Sequence, residues 1–253
     1  MNLFTILIVF FTGAALGSFL GVLVDRLPRG ESVLFGRSKC EKCKSELTFL
    51  DLIPVVSYIL LSGKCRTCHV KIPVHLFLFE MLSGFSAVAL LLYSQTLGLS
   101  IIETVFLAVV LFCLAGIFFA DTLSGIIPDQ FVAVLIITVL FFIGFTDSSA
   151  LPWYIITAIF SSGLFLALYL VTKGRGMGFG DVKFAFAMGL ILGFPLILVG
   201  LYTAFLTATA ISLILVLAGR KKLHGGTIAF GPFLVAGTIA AYLFGRQILN
   251  LFF

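Results

Sequence analysis

The chain predicts an all-α polytopic membrane protein of about eight hydrophobic helices, with a small zinc-binding cytoplasmic loop domain between the first two. Three observations carry that expectation. Of 253 residues, 61% are hydrophobic and 11% charged, and the mean hydropathy is +1.23, so too few polar side chains exist to coat a soluble globule. Apolar stretches near the roughly 20 residues that a helix needs to cross a bilayer recur along the chain, separated by breaks rich in Gly, Pro and charge. Strand-length alternation does not run through them, which argues against a membrane β-barrel.

Basic residues orient the elements, because cytoplasmic loops accumulate Lys and Arg. Nine of the 16 fall between Arg26 and Lys71; Lys173, Arg175 and Lys183 flank a glycine-rich turn; Arg220, Lys221 and Lys222 form a third cluster. Only Arg246 lies elsewhere. Placing the three clusters on the cytoplasmic side requires an even number of crossings between them, and the apolar segments satisfy this. Residues 1–24 hold a first transmembrane helix with the N-terminus outside, expected to stay as an anchor even though Gly13-Ala-Ala-Leu-Gly17-Ser imitates a cleavage site. Residues 25–74 form the polar loop, and residues 75–253 a helical membrane domain. Within that domain residues 75–96 run out, 100–120 return, 127–145 run out, and 152–172 return to the glycine turn. Residues 182–218 hold two helices broken at Gly193-Phe-Pro195, and 228–251 form the last span. The segment 182–192, about 16 Å of helix, is short of a full hydrocarbon core.

The loop contains Cys40-Glu-Lys-Cys43 and Cys65-Arg-Thr-Cys68. Two Cys-x-x-Cys knuckles at this separation predict a four-thiolate zinc site, each tight turn supplying two ligands. Four cysteines leave no open position for a water, so the expected role is structural. Cys65-Arg-Thr-Cys68-His69 also matches the pattern for covalent haem, but that attachment belongs outside the cytoplasm, and a second knuckle stands beside it. Disulfides are disfavoured in the same reducing compartment. Cys113, within an apolar run, reads as a small buried hydrophobe.

Among 11 acidic residues, Asp25, Glu31, Glu41, Glu46 and Asp51 lie in the polar loop, and Glu103 and Asp147 in external turns. Glu80, inside the second span, reads equally as a functional intramembrane carboxylate or as half of an interfacial ion pair. Asp129 follows Pro128 where a helix N-cap belongs. Asp121 ends an apolar helix, where a carboxylate opposes the negative end of the dipole, and such a placement points to function. Asp181 follows Gly176-Met-Gly178-Phe-Gly180, and N-capping competes there with a role beside glycines that let an extended backbone approach. The glycines do not make a dinucleotide site, because no strand precedes them. Asp121 and Asp181 fall on the same cytoplasmic side, where a pair of carboxyl groups sharing one proton can activate water against a peptide bond. His69, His75 and His224 stand beside no nucleophile.

Taken in order, Gly17-Ser-Phe-Leu-Gly-Val-Leu-Val-Asp-Arg26-Leu-Pro28, the two knuckles, Ile53-Pro54-Val-Val-Ser57-Tyr58, Asp121 with Ile127-Pro128-Asp129, Gly178-Phe-Gly180-Asp181-Val-Lys183 and Phe230-Gly231-Pro232-Phe233 closely resemble the bacterial type IV prepilin peptidase family, an intramembrane GxGD-type aspartic protease family. The resemblance spans nearly the whole chain. It implies cleavage of the short basic leader of prepilins or pseudopilins at the inner-membrane face, then N-methylation of the new terminus with S-adenosylmethionine. It also implies that Asp121 and Asp181 are catalytic, that Gly178 and Gly180 lie near substrate, and that Cys40, Cys43, Cys65 and Cys68 bind zinc. Prepilins and the lipid bilayer are the implied partners, with no nucleic acid. Gly21 and Ala229 stand where members often carry Asn and Pro. Glu41, Glu46 and Asp129 are the candidate receivers of the leader. A metal or proton transporter is the competing class; it predicts acids near mid-membrane and two similar halves, whereas these acids lie at the boundary and no internal repeat is evident. A non-catalytic zinc scaffold and a peptidase without methylation complete the alternatives.

Overall fold

The computed structural model describes residues 2–33, 38–40, 42–218 and 229–252. Glu41, Arg220, Lys221, Lys222 and His224 lie outside the described residues. Nine α-helices are formed within them: α1 (Leu3–Arg26), α2 (Val56–Leu60), α3 (Val74–Leu97), α4 (Ile101–Ser124), α5 (Asp129–Thr146), α6 (Leu151–Val171), α7 (Phe179–Leu192), α8 (Leu196–Leu217) and α9 (Gly231–Phe252). Strand-like pairing among the described residues is confined to two isolated bridges, Lys39 with Glu46 and Lys64 with Lys71. Eight helices are the hydrophobic segments expected from sequence. Seven of them are long and apolar enough to cross a membrane, and the chain is a multi-pass membrane protein. The eighth, α7, has 14 residues and stops at Gly193, whose φ of 63° ends the helix just before Phe194-Pro195.

Local signals explain the ends. Glu103 Oε2 accepts the Ser100 N–H at 2.7 Å and its hydroxyl at 2.8 Å, a capping box that starts α4. Pro152 sits in the first turn of α6, where its missing N–H costs nothing. Two expectations are corrected. Helix α4 does not end at Asp121 but continues to Ser124, closing through the Gly125 N–H on the Asp121 carbonyl at 2.9 Å, with Gly125 at φ 67°. Asp129 is not the N-cap of α5: Pro128 occupies that position and Asp129 is the first helical residue. Its carboxylate is engaged elsewhere.

The chain divides within α4 into two compact units, residues 1–108 and 109–253. In the first, α1 packs along α3. The contact is a stripe of small residues: a methyl group at Gly13 would lie 2.6 Å from Ala87 Cβ, one at Gly17 would strike the Phe79 carbonyl, and one at Gly84 would meet the Phe10 ring at 2.7 Å. Between apolar helices in lipid, close backbone approach of this kind supplies the packing energy that water exclusion cannot.

In the second unit α7 is the centre, packed by α5, α6, α8 and α9. Nine of its 14 residues are buried, from Asp181 and Val182 to Leu192. Gly189 admits Ala158 and Ser161 of α6, and the Ser161 hydroxyl donates to the Ala185 carbonyl of α7 at 2.8 Å. The later turns of α4 bury Val110, Cys113, Leu114, Ile117 and Ala120, so Cys113 is the small buried hydrophobe expected. The Phe131 ring of α5 fills the space left open by Gly116.

Candidate active site and metal centre

Asp121 is buried, 5% exposed, in the last turn of α4. The apolar run before it carries the carboxyl group inward, and its Oδ2 accepts the Gly231 N–H at 2.8 Å. Gly231 is the first residue of α9, whose leading N–H groups have no partner within the helix and carry the positive end of its dipole. A neighbouring helix therefore satisfies the acid that α4's own dipole disfavours. A Cβ at Gly231 would lie 2.6 Å from Asp121 Oδ2, so a side chain there would displace the carboxyl group. Sequence reasoning quoted Gly231 only within the family resemblance and did not anticipate this contact; a Gly-Pro pair opening a helix was the available signal.

Asp181 is 6% exposed and occupies the third position of α7, after the N-cap Gly178. Its Oδ2 accepts the Gly178 N–H at 3.0 Å. Asp181 is thus not the N-cap itself, but its carboxylate closes the helix start from within. Gly180 lies against Ile127, where an added Cβ would come within 3.0 Å of the Ile127 Cβ, so the chain entering α5 is pressed onto this turn. Each aspartate is tied by one oxygen, Oδ2, to a glycine N–H at the start of a helix. The helix α7 is not one of the seven spans, and burial pushes the Asp181 carboxyl up to about 6, helped by the negative charge of nearby Asp121 and opposed by the Gly178 N–H.

Beside this pair, the Lys183 ammonium binds both carboxylate oxygens of Asp129, at 2.7 and 2.8 Å, and lies 5.3 Å from the centre of the Phe179 ring. The bond joins the first residue of α5 to the fifth of α7, across 54 residues of sequence. Of the other candidate leader receivers, Glu46 pairs with Lys39 at 3.8 Å.

The four loop cysteines converge, their sulfurs all within 4.8 Å of one another. Cys40 and Cys68 sulfurs are 3.8 Å apart and those of Cys43 and Cys65 4.0 Å. A tetrahedral zinc with bonds of about 2.3 Å requires edges of about 3.8 Å, whereas a disulfide requires about 2.05 Å. The two knuckles are copies of each other. In each, the residue after the second cysteine, Lys44 (φ 57°) or His69 (φ 55°), donates its N–H to the carbonyl of the first, Cys40 or Cys65. In each the N–H of the first cysteine reaches five residues ahead, to Ser45 or Val70. His69 is therefore the counterpart of Lys44, and its knuckle is spent on the four-sulfur cluster instead of a haem. The Ser45 hydroxyl, 2.9 Å from the sulfur, and the Ser45 N–H draw the Cys43 thiol down to about 6; the N–H groups of Cys68 and Thr67 lower Cys65. These effects favour two of the thiolates that zinc binds, whereas Cys68, although the Val70 N–H lowers it, is pushed up to about 11 by burial and the neighbouring cysteine sulfurs. The donor set, spacing and charge fit structural zinc.

S-adenosylmethionine does not fit the apolar cleft beside α1. That cleft of about 600 Å³ is walled by Phe4, Leu7, Ile8, Phe11, Thr12 and Ala15 and presents no charged group to an amino acid or nucleoside.

Comparison with known proteins bears on both regions. Residues 11–94 match the model of the bacterial peptidase A24 N-terminal domain, and residues 106–217 that of the type IV leader peptidase family. The chain is 29% identical to a prepilin leader peptidase/N-methyltransferase of Bacillus subtilis, covering 97% of this chain and 96% of that protein. It is 31% identical to one of Neisseria gonorrhoeae, covering 90% and 86%, and 26% identical to one of Dichelobacter nodosus, covering 96% and 94%. No solved structure matches significantly.

Proposed function

The chain belongs to the type IV leader peptidase family, and we propose that it removes the basic leader of type IV prepilins or pseudopilins at the cytoplasmic face of the bacterial inner membrane, with Asp121 and Asp181 activating a water. The observation that carries this is the pair itself: two buried carboxyl groups, each held by one glycine N–H, close enough that the charge of one bears on the other. In this reading residues 1–24 anchor the chain with its N-terminus outside, residues 25–74 form the zinc loop, and residues 75–253 carry the peptidase.

The pair holds a single proton. Asp121, beside the positive end of α9, is the ionised member and takes a proton from water as the water oxygen bonds to the scissile carbonyl carbon. Asp181, the protonated member, donates to the carbonyl oxygen. Collapse of the tetrahedral intermediate breaks the carbon–nitrogen bond, and the proton held by Asp121 passes to the leaving amine. Asp181 recovers its own proton from the hydroxyl, restoring the one-proton state. Gly178 and Gly180, with no side chains, leave room for an extended substrate backbone beside Asp181. The two-part name of the relatives supports methylation of the released amine, for which S-adenosylmethionine would supply the methyl group.

Co-expression with a prepilin in cells lacking their own leader peptidase tests both activities by mass spectrometry of the pilin N-terminus. A shortened, methylated terminus is expected. Intact precursor rejects the peptidase, and a shortened but unmodified amine rejects the methyltransferase. The rate also has a signed pH dependence. The pair keeps its proton below about pH 6 and loses it above. Cleavage is therefore expected to fall by about tenfold per pH unit on the alkaline side of that value. A rate that stays flat from weakly acidic to alkaline buffer overturns the shared-proton mechanism.

A further inference from the structure

Five large apolar side chains stand exposed on the zinc loop. Phe49 (84% exposed), Leu50 and Leu52 lie on a 3₁₀ turn, Phe49–Leu52; Ile59 and Leu60 (77%) lie on α2, which packs against that turn. Isolated apolar residues on a surface need no explanation, but five on two adjoining elements do.

Polar contacts hold these elements rigidly. Asp51 Oδ2 accepts the Thr48 N–H at 3.0 Å and its hydroxyl at 2.6 Å, while Oδ1 accepts the Arg66 Nε–H at 2.8 Å. Since Arg66 lies between Cys65 and Cys68, the 3₁₀ turn is fastened to the second zinc knuckle. On the other side, the Val55 N–H donates to Glu80 Oε2 at 2.7 Å. Val55 has φ 66° and ψ −52°, and the Val56 N–H closes on the Pro54 carbonyl at 2.6 Å. This is a γ-turn of the positive-φ form, a strained conformation for a β-branched residue, which persists only where its surroundings impose it. Glu80 imposes it by accepting the Val55 N–H.

Glu80 also sets depth. It lies six residues beyond the first residue of α3, about 9 Å along the axis. The Tyr58 ring stacks on Phe77 at 4.6 Å and 23°, on the same turns. Val55 and Tyr58 thus fasten this segment beside the first two turns of a membrane span. Lys42, Lys44 and Lys64 of the same loop are exposed and offer positive charge at its knuckles. We infer that residues 49–60 are an interfacial element, seating Phe49, Leu50, Leu52, Ile59 and Leu60 in the leaflet of anionic phospholipid that surrounds α1 and α3, with the lysines meeting its phosphate groups. Such elements sit about 5–10 Å into the headgroup and acyl boundary, which agrees with the height of Glu80. Glu80 is then the anchor of a membrane-seated turn, a role distinct from both an ion pair with a cation and a catalytic acid.

The test places one tryptophan at a time, Phe49→Trp or Leu60→Trp, in the full chain with its single native tryptophan removed by Trp153→Phe. The proteins are reconstituted in vesicles of phosphatidylcholine and phosphatidylglycerol, with zinc content confirming the loop fold. Blue-shifted emission, strong quenching by lipid brominated high on the acyl chain and protection from acrylamide are expected, without any prepilin present. Quenching is expected to weaken in Glu80→Ala and to be recovered in Glu80→Gln, which keeps a carbonyl acceptor for Val55. Water-like emission open to acrylamide overturns the proposal. So does protection that develops only on adding prepilin, which makes the substrate helix the occupant, or protection that rises with protein-to-lipid ratio, which makes it a second copy.

Discussion

Asp121→Asn and Asp181→Asn are each expected to lower prepilin cleavage by at least about a thousandfold while leaving the protein folded. Asparagine keeps a carbonyl oxygen of the same reach, so the N–H groups of Gly231 and Gly178 retain an acceptor. What the change removes is the ability to hold or release a proton, and one amide in the pair leaves either no base for water or no acid for the carbonyl oxygen. Above about pH 6, where the pair has lost its proton, the substitution also relieves repulsion between the two carboxylates, so stability there is expected to hold or rise. The check is the ratio of precursor to mature pilin over time, at matched amounts of enzyme in the membrane. Processing at the unsubstituted rate by either variant excludes that aspartate from the chemistry.

Cys43→Ser combined with Cys65→Ser is expected to abolish zinc binding and unfold much of the loop, leaving the α1–α3 contact in place. Structural zinc contributes apparent binding energies of about 10–16 kcal/mol in small domains, far more than a loop with this little core can replace. Apart from local turns, what holds the described part of the loop includes two isolated bridges, the Asp51–Arg66 and Lys39–Glu46 pairs, the Tyr58–Phe77 stack and the Val55–Glu80 bond. The zinc content of purified protein should fall from about one per chain to near zero, and amides of residues 38–72 should exchange far faster, while those of α1 and α3 stay protected. A metal-free chain with a fully protected loop overturns the structural-zinc reading.

The helices were legible because long apolar runs between Gly, Pro and charge have one stable form in lipid, where every backbone group must be paired within its own segment. Boundaries read from sequence lie within a few residues of those observed; α3 runs from Val74 to Leu97 against an expected 75–96. The four-cysteine cluster was legible for a related reason: each knuckle is a local turn whose geometry follows from two residues of spacing. Asp129 was misread because a carboxylate just after a proline resembles a cap in any sequence, and only the position of Lys183, 54 residues on, shows which partner it takes.

From the sequence alone came the membrane class, the number and limits of the hydrophobic segments, the four-cysteine site and two aspartates marked out by their placement. The partners were decided by tertiary structure: Gly231 for Asp121 across 110 residues, Lys183 for Asp129, and the Val55 turn for Glu80. Local pattern reflects the one-dimensional demands of a helix in lipid. Pairing between helices depends on which small residues let backbones approach, as Gly13 and Gly17 do for α3 and Gly189 for α6, and that fit exists only once the helices are side by side.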